Sequence, residues 1–513
     1  MTQQEAVSVS IGHGGGRPGA TAGDPLRPEL ADVARLGRRL MHRAVGAARG
    51  EDHPLRRVLH DHLGPAAGSM PTVTGSWLQY DHVNLQIGLD AWLARPGRRH
   101  EVVGVTGFQH AEFGLADLIE PGPHQSQFGI GNVSTIAMPA GPGGRTRSCV
   151  RCGIYLVTDG ADRYALLMRG PQRPDAMEEI VLEAAAGDTE RAEQIVTEIR
   201  QLAVEHNIYR GQVISFGGQL FGHGRGAPLS FLNRPEVARQ DVVLPPELLD
   251  GIERQVLGVQ RHAGRLRASG QHLKRGVLLH GAPGTGKTHT ISYLMGQMPL
   301  ATIVVLSGAA LQLISQACSV ARLLQPSVIV VEDVDLIAEQ RMRHMGAHPL
   351  LFQLLNEMDG LGEDVDVTFL LTTNRADMLE EALAARPGRV DHAAELPLPD
   401  AGARQQLLRL YRGSLVLELA DPDAVITRTE GVTASFLKEL LRKAALFAAE
   451  DGPERDEDGP LRVTDAHMNA ALDQLLDTRN QLTRVLLGGQ AERPGPPAGG
   501  GEARPASQTF LRY

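Results

Sequence analysis

Eight consecutive residues, Gly281-Ala282-Pro283-Gly284-Thr285-Gly286-Lys287-Thr288, constrain this chain more than any other stretch. They fit the pattern G-x-x-x-x-G-K-[ST], follow the apolar run Gly276-Val277-Leu278-Leu279, and precede a helix-compatible segment that begins at His289. Strand, tight loop and helix in that order predict an α/β unit in which the loop cradles phosphate. Glycines let the backbone wrap so that successive N–H groups converge on the phosphates, Lys287 brings a mobile positive charge to the β and γ groups, and the Thr288 hydroxyl can hold Mg²⁺. A nucleoside triphosphate site lined by residues 281–289 is the first expectation.

A phosphate cradle does not say what the nucleotide is for, so the rest of the chain has to supply catalytic groups. Val328-Ile329-Val330-Val331-Glu332-Asp333 reads as a buried strand ending in two carboxylates, placed where a parallel sheet presents reactive groups at its carboxyl edge. One carboxylate can organise Mg²⁺ and the other can polarise an attacking water. Val367-Thr368-Phe369-Leu370-Leu371-Thr372-Thr373-Asn374-Arg375 is a second such strand, ending in an amide able to orient that water. Ala385-Arg386-Pro387-Gly388-Arg389-Val390-Asp391 then offers two guanidinium groups suited to charge on a transferring phosphoryl group.

In order and spacing, residues 241–481 resemble the AAA subfamily of AAA+ ATPases, which includes valosin-containing-protein-like segregases, proteasomal ATPases and FtsH-type proteases. Thr372-Thr373-Asn374-Arg375 followed by Arg386-Pro387-Gly388-Arg389 looks like the second region of homology of that subfamily. The resemblance implies an α/β fold: a P-loop AAA+ parallel sheet over residues 241–400, a helical lid over 401–484, and an α+β domain upstream. It also implies ATP hydrolysis with ATP and Mg²⁺ bound, Asn374 as sensor 1, and Arg386 and Arg389 as arginine fingers reaching the neighbouring subunit of a homo-oligomeric, hexameric ring. Residues 429–440 are similar to the sensor 2 helix start, with Ala434 at the small-residue position facing the nucleotide. Leu437, Leu440, Leu441, Ala444 and Ala445 then form one apolar helix face.

Departures from the family pattern fall on the mechanical parts. The two carboxylates come as Glu-Asp instead of Asp-Glu, so by register Glu332 takes the Mg²⁺-organising position and Asp333, with its shorter reach, the base position. The same order occurs in the mitochondrial AAA translocase of the folded Rieske protein, so inversion need not abolish hydrolysis. A plain strand-end cap is the competing role for Asp333 and for Asp335. Where threading unfoldases carry an aromatic pore loop, residues 307–318 are short and hold no aromatic. Leu313 and Ile314 are either blunt pore contacts or buried helix residues. Gln340-Arg341-Met342-Arg343-His344-Met345 is either a cationic pore loop or solvated surface.

At 513 residues the chain has room for two or three domains plus tails. A net charge of −9 and few aromatics argue against a nucleic-acid partner. No apolar run reaches membrane-spanning length and the polar, Gly-rich start is unlike a signal peptide, so the expected location is cytoplasmic with no membrane partner. Cys149-Val150-Arg151-Cys152 has C-x-x-C spacing, but it runs into strand-like sequence that would point the two thiols to opposite faces, which favours ordinary strand cysteines over a redox or metal pair. His100-Glu101-Val102-Val103-Gly104 lacks the second histidine of H-E-x-x-H, and that motif occurs nowhere in the sequence, which excludes an FtsH-type zinc protease within it.

Upstream, residues 28–120 read as a globular region with Trp77, Tyr80 and Trp92 in its core, 121–144 as a Gly/Pro-rich linker, and 145–235 as a separate α+β domain. In the last, Tyr155 and Met168 lie on two strands of a hairpin turning at Asp159-Gly160-Ala161-Asp162, a further strand covers 180–184, Asp188 caps a helix running to Glu205, and 212–216 returns as a strand. Residues 1–27 and 488–513 read as disordered tails. The terminal Phe510-Leu511-Arg512-Tyr513 is either a docking signal for a protease ring or a frayed end. The expected whole is a ring-forming, chaperone-like ATPase that remodels a protein substrate or adaptor held by its N-terminal region. A nucleotide-dependent assembly switch with slow hydrolysis is the alternative.

Overall fold

A computed structural model of the protein describes residues 53–108, 113–120, 128–170, 179–216, 229–335, 349–360, 362, 365–375, 390–451 and 460–476. Two seven-stranded sheets dominate. The upstream sheet contains β1 (Thr72–Trp77), β2 (Arg98–Thr106), β3 (Gly129–Gly131), β4 (Ser134–Gly141), β5 (Arg145–Asp159), β6 (Asp162–Arg169) and β7 (Ile180–Ala185). Its order is β1-β7-β6-β5-β2-β3 with β4 paired to β5, and every pairing is antiparallel. The long strand β5 alternates its cores: Tyr155 and Val157 pack with Trp77 and Trp92 on one face, while Ile154 and Leu156 pack with Leu55 and Leu59 on the other. Helix α1 (Pro54–Leu63) covers the latter face. Helices α2 (His82–Leu93) and α3 (Thr189–Glu205) cover the former. The Asp188 carboxylate caps α3 by accepting the Arg191 N–H. Gly88 lets α2 and α3 touch, since a Cβ there would stand 2.6 Å from the backbone of Ile199 and Ala203.

Three sequence expectations change. The predicted linker 121–144 is no linker over its described part, because 129–131 and 134–141 are strands of the sheet. Gly-rich sequence forms strand here because the chain crosses itself closely: a Cβ on Gly104 would sit 2.3 Å from Asn132 backbone atoms, and one on Gly131 2.4 Å from Thr106. The expected split between 28–120 and 145–235 also disappears, since β1 pairs with β7 and β2 with β5. Cys149 and Cys152 are both buried and free, one facing the core shared with the second sheet and the other the α1 face, as their spacing on a strand demands.

The second sheet contains β8 (Val213–Phe216), β9 (Leu229–Leu232), β10 (Arg275–His280), β11 (Thr302–Leu306), β12 (Ser327–Val331), β13 (Val367–Thr373) and β14 (His392–Glu395). Its order is β14-β10-β13-β12-β11-β8-β9. All neighbours from β14 to β8 are parallel and only the β8–β9 hairpin is antiparallel. Every residue of β12 and β13 is buried, which suits the apolar runs at 328–331 and 369–371 within them. The third correction lies here: 212–216, assigned from sequence to the upstream domain, pairs in parallel with β11 through Ile303, Val304 and Val305. One core consequently runs through both sheets, joining Val83, Met138 and Cys149 upstream to Phe216 and Leu229, and on to Leu306, Leu311, Ile314 and Ile329. Leu313 and Ile314 belong to that core, which settles their two readings in favour of burial.

Beyond β14 the chain is helical: α4 (Ala401–Tyr411), α5 (Pro422–Arg428), α6 (Ala434–Asp451) and α7 (Asp465–Leu476), with a two-strand parallel pair, β15 (Val416–Glu418) and β16 (Arg462–Thr464). Leu437, Leu440, Leu441 and Ala444 of α6 pack against Met468, Ala471, Leu472 and Leu475 of α7. Among the described residues no helix is long and apolar enough to cross a membrane. Residues 1–27, 340–345 and 488–513 lie outside the described residues.

Candidate active site

The site is assembled by sheet register. β10 pairs with β13 so that Leu279 faces Thr372 and His280 faces Thr373, and Val331 of β12 faces Leu371 on the other side of β13. The loop after β10, the two carboxylates after β12 and the amide after β13 therefore leave the sheet at one level, at its carboxyl edge.

The loop after β10 is shaped by its glycines. Gly281 has φ 141°, and a Cβ there would meet the Leu396 carbonyl oxygen at 2.5 Å. Gly286 has φ 103°, with nothing within 4 Å of a notional Cβ, so only its left-handed backbone requires glycine. Helix Lys287–Gly296 starts directly after it, with Gly286 as N-cap. The first N–H groups of a helix lack intrahelical partners and carry the positive end of its dipole. The Lys287 ammonium is buried and donates to the carbonyls of Gly281 at 2.9 Å and Ala282 at 3.0 Å. Burial lowers its pKa from the ordinary lysine value, against the opposing pull of Asp333 and Asp335. Thr285 Oγ1 donates to the Ala282 carbonyl at 2.9 Å. The Thr288 side chain is exposed at the mouth of the loop, while a His289 ring nitrogen lies 3.1 Å from the Asp241 carbonyl.

Across from the lysine, Asn374 Nδ2 donates to Asp333 Oδ1 at 3.2 Å, bringing together two residues predicted to share the water site. The Asp333 N–H donates to Thr372 Oγ1 at 3.0 Å. Glu332 is half-buried at the end of β12, its N–H bonded to the Leu306 carbonyl at 3.1 Å. Asp335, left open between function and capping, is buried and takes Thr373 Oγ1 at 3.0 Å and the Asn374 N–H at 3.3 Å on one carboxylate oxygen. It thus ties the end of β13 to the acidic segment. The repeated Asp at 333 and 335 beside paired threonines was the available sequence signal. Arg386 and Arg389 lie outside the described residues.

The helical lid also reaches the loop. Ala434 is buried at the start of α6, and the Ser435 N–H donates to the Gly284 carbonyl at 3.2 Å. A Cβ on Gly284, whose φ is 82°, would come within 3.0 Å of Ser435 Oγ, Ser435 Cβ and Thr433 Oγ1. Sequence reasoning did not single out Thr433 and Ser435 as loop contacts. A buried ammonium held only by carbonyls, a helix start and a glycine opening with room beside it together fit a polyphosphate with its divalent cation.

Residues 277–398 match the family described as "ATPase family associated with various cellular activities (AAA)". The chain is 30% identical over 283 residues to the ATP-dependent zinc metalloprotease FtsH 3 of Sphaerobacter thermophilus, covering 53% of this chain and 56% of that protein. It is 30% identical over 232 residues to FtsH of Thermus thermophilus, covering 42% and 37% respectively. Against FtsH of Mycobacterium tuberculosis the identity is 29% over 290 residues, covering 54% and 36%. The matches span from about a third to just over half of these relatives' length.

Proposed function

Residues 277–398 form an AAA ATPase domain, and from that premise we propose that the protein is a ring-forming ATPase that couples ATP hydrolysis to remodelling protein substrates. The observation that carries the reading is the 3.2 Å contact between Asp333 and Asn374 at the sheet edge that also presents Lys287. Lys287 and the N–H groups at the helix start hold the phosphates. Thr288 and Glu332 would hold Mg²⁺, which when bound supplies neutralising charge to the phosphate oxygens. Asp333 accepts the proton of the attacking water while the Asn374 amide fixes that water's orientation. By resemblance, Arg386 and Arg389 complete the site of a neighbouring subunit.

The relatives' printed name joins ATP dependence to proteolysis. H-E-x-x-H is absent from this sequence, so the activity this chain would share with these relatives is ATP-driven action on proteins. Burial of Leu313 and Ile314 supports chaperone-like remodelling over hand-over-hand threading, because core side chains cannot grip a polypeptide. The short reach of Asp333 favours a second reading, an assembly switch with slow hydrolysis.

The test is ATPase rate per subunit on dilution, with Arg389→Ala alongside. A brisk rate that falls on dilution and is lost in the variant supports a motor whose subunits complete one another's sites. Firm ATP binding with negligible turnover supports the switch instead.

A further inference from the structure

We propose that Thr372 is a positioning residue for the Asp333 base, a role that rests on the base assignment above. Asp333 is the one described non-glycine residue with positive φ, at 51°. This backbone state lets the chain turn sharply as it leaves β12, aiming a short carboxylate back toward β13, where Asn374 Nδ2 meets it at 3.2 Å. The same turn takes the Asp333 N–H out of the sheet ladder, and Thr372 Oγ1 accepts it at 3.0 Å.

Thr372 is 1% exposed, within a strand that is buried throughout. A hydroxyl at such a position needs a partner, and this one's partner is the backbone of the residue proposed as base. Its neighbour Thr373 bonds Asp335, so the two hydroxyls clamp the acidic segment at both ends of Val334. The carboxylate is then fixed at two points, its own backbone on Thr372 and its Oδ1 on Asn374. Where a glutamate would reach the water by length, this chain reaches it by a strained backbone that a threonine hydroxyl holds in place.

The experiment measures kcat and KM for ATP in the full chain for Thr372→Val, Thr372→Ala, Thr372→Ser, Asp333→Asn and the Asp333→Asn/Thr372→Val double variant. Thr372→Val or Thr372→Ala should lower kcat about 10- to 100-fold, as loss of a supporting hydrogen bond does elsewhere, with KM nearly unchanged. Thr372→Ser should recover most of that loss, since it restores the acceptor. With Asp333→Asn already present, Thr372→Val should lower the residual rate no further, whereas a merely structural role would lower it again. Wild-type kcat in folded Thr372→Val or Thr372→Ala beside an inactive Asp333→Asn overturns the positioning role and leaves the base assignment standing. Full activity in Asp333→Asn overturns both together. Thermal melts identify which of the Val and Ala variants is folded and is to be read.

Discussion

Phe216→Ala tests whether the upstream module and the ATPase domain are one mechanical body. Phe216 ends β8 on the ATPase sheet and is 1% exposed. Its ring meets Tyr80 of the upstream module edge-on, with centroids 5.2 Å apart and planes at 84°. Removing a buried phenylalanine costs about 3–5 kcal/mol, and the lost aromatic pair adds about 0.5–1.5 kcal/mol. Taking about 5 kcal/mol for the two together and a urea slope of about 3 kcal/mol per molar, the midpoint should fall by about 1.7 M. Two probes separate the parts. Both tryptophans of the chain, Trp77 and Trp92, lie in the upstream core, so intrinsic fluorescence reports that module. Binding of a fluorescent ATP analogue reports the phosphate loop. A shared core predicts that both transitions move down together. If tryptophan fluorescence keeps its wild-type midpoint while analogue binding is lost early, the two bodies unfold independently and a continuous core is wrong. Phe216→Leu, which keeps most of the volume, should move both midpoints by less than half as much.

Lys287→Met should abolish the thermal stabilisation by ATP, worth about 2.7 kcal/mol at 100 times Kd in wild type, without destabilising the protein measured alone. The lowered pKa of Lys287 means that the unfolded chain binds more protons, so wild-type stability rises with pH between the folded value and the ordinary lysine value; denaturation midpoints in alkaline buffer should lose that slope in the variant. Gly284→Ala places a methyl against Ser435 and Thr433 at a left-handed position, at about 1–2 kcal/mol of backbone cost; weaker nucleotide binding in calorimetry is expected, and Ser435→Gly should recover part of it. Burial raises the thiol pKa of Cys149 to about 11 and of Cys152 and Cys318 to about 12. Folded protein at neutral pH should therefore resist iodoacetamide at all three, with full labelling in denaturant; labelling of Cys149 or Cys152 in the native state would contradict their place in the core.

Short-range physics makes the phosphate loop, the acidic strand, the hairpin and the capped helix legible in the sequence. Glycines at φ 141°, 82° and 103° and a lysine one residue beyond the last of them are a local arrangement, and Gly160 at φ 62° between Asp159 and Asp162 is another. Each is written in consecutive residues. The partner of a strand is not: the three apolar residues and one serine at 213–216 carry no mark saying that they will align with Ile303 to Val305 instead of the nearby β7. Gly-rich 129–131 resembled linker because composition cannot show that a second backbone segment passes close enough to exclude a Cβ. The apolar spacing of Leu313 and Ile314 suits a pore or a core equally, and only packing against Phe216 and Ile329 decides between them. The residue types at the proposed active site were thus determined by the sequence alone. Their meeting, with Asp333 turned by its left-handed backbone onto Asn374 and anchored on Thr372, was decided by sheet register across chain segments about forty residues apart, because hydrogen-bonded pairing acts on proximity in space and leaves no local trace in the chain.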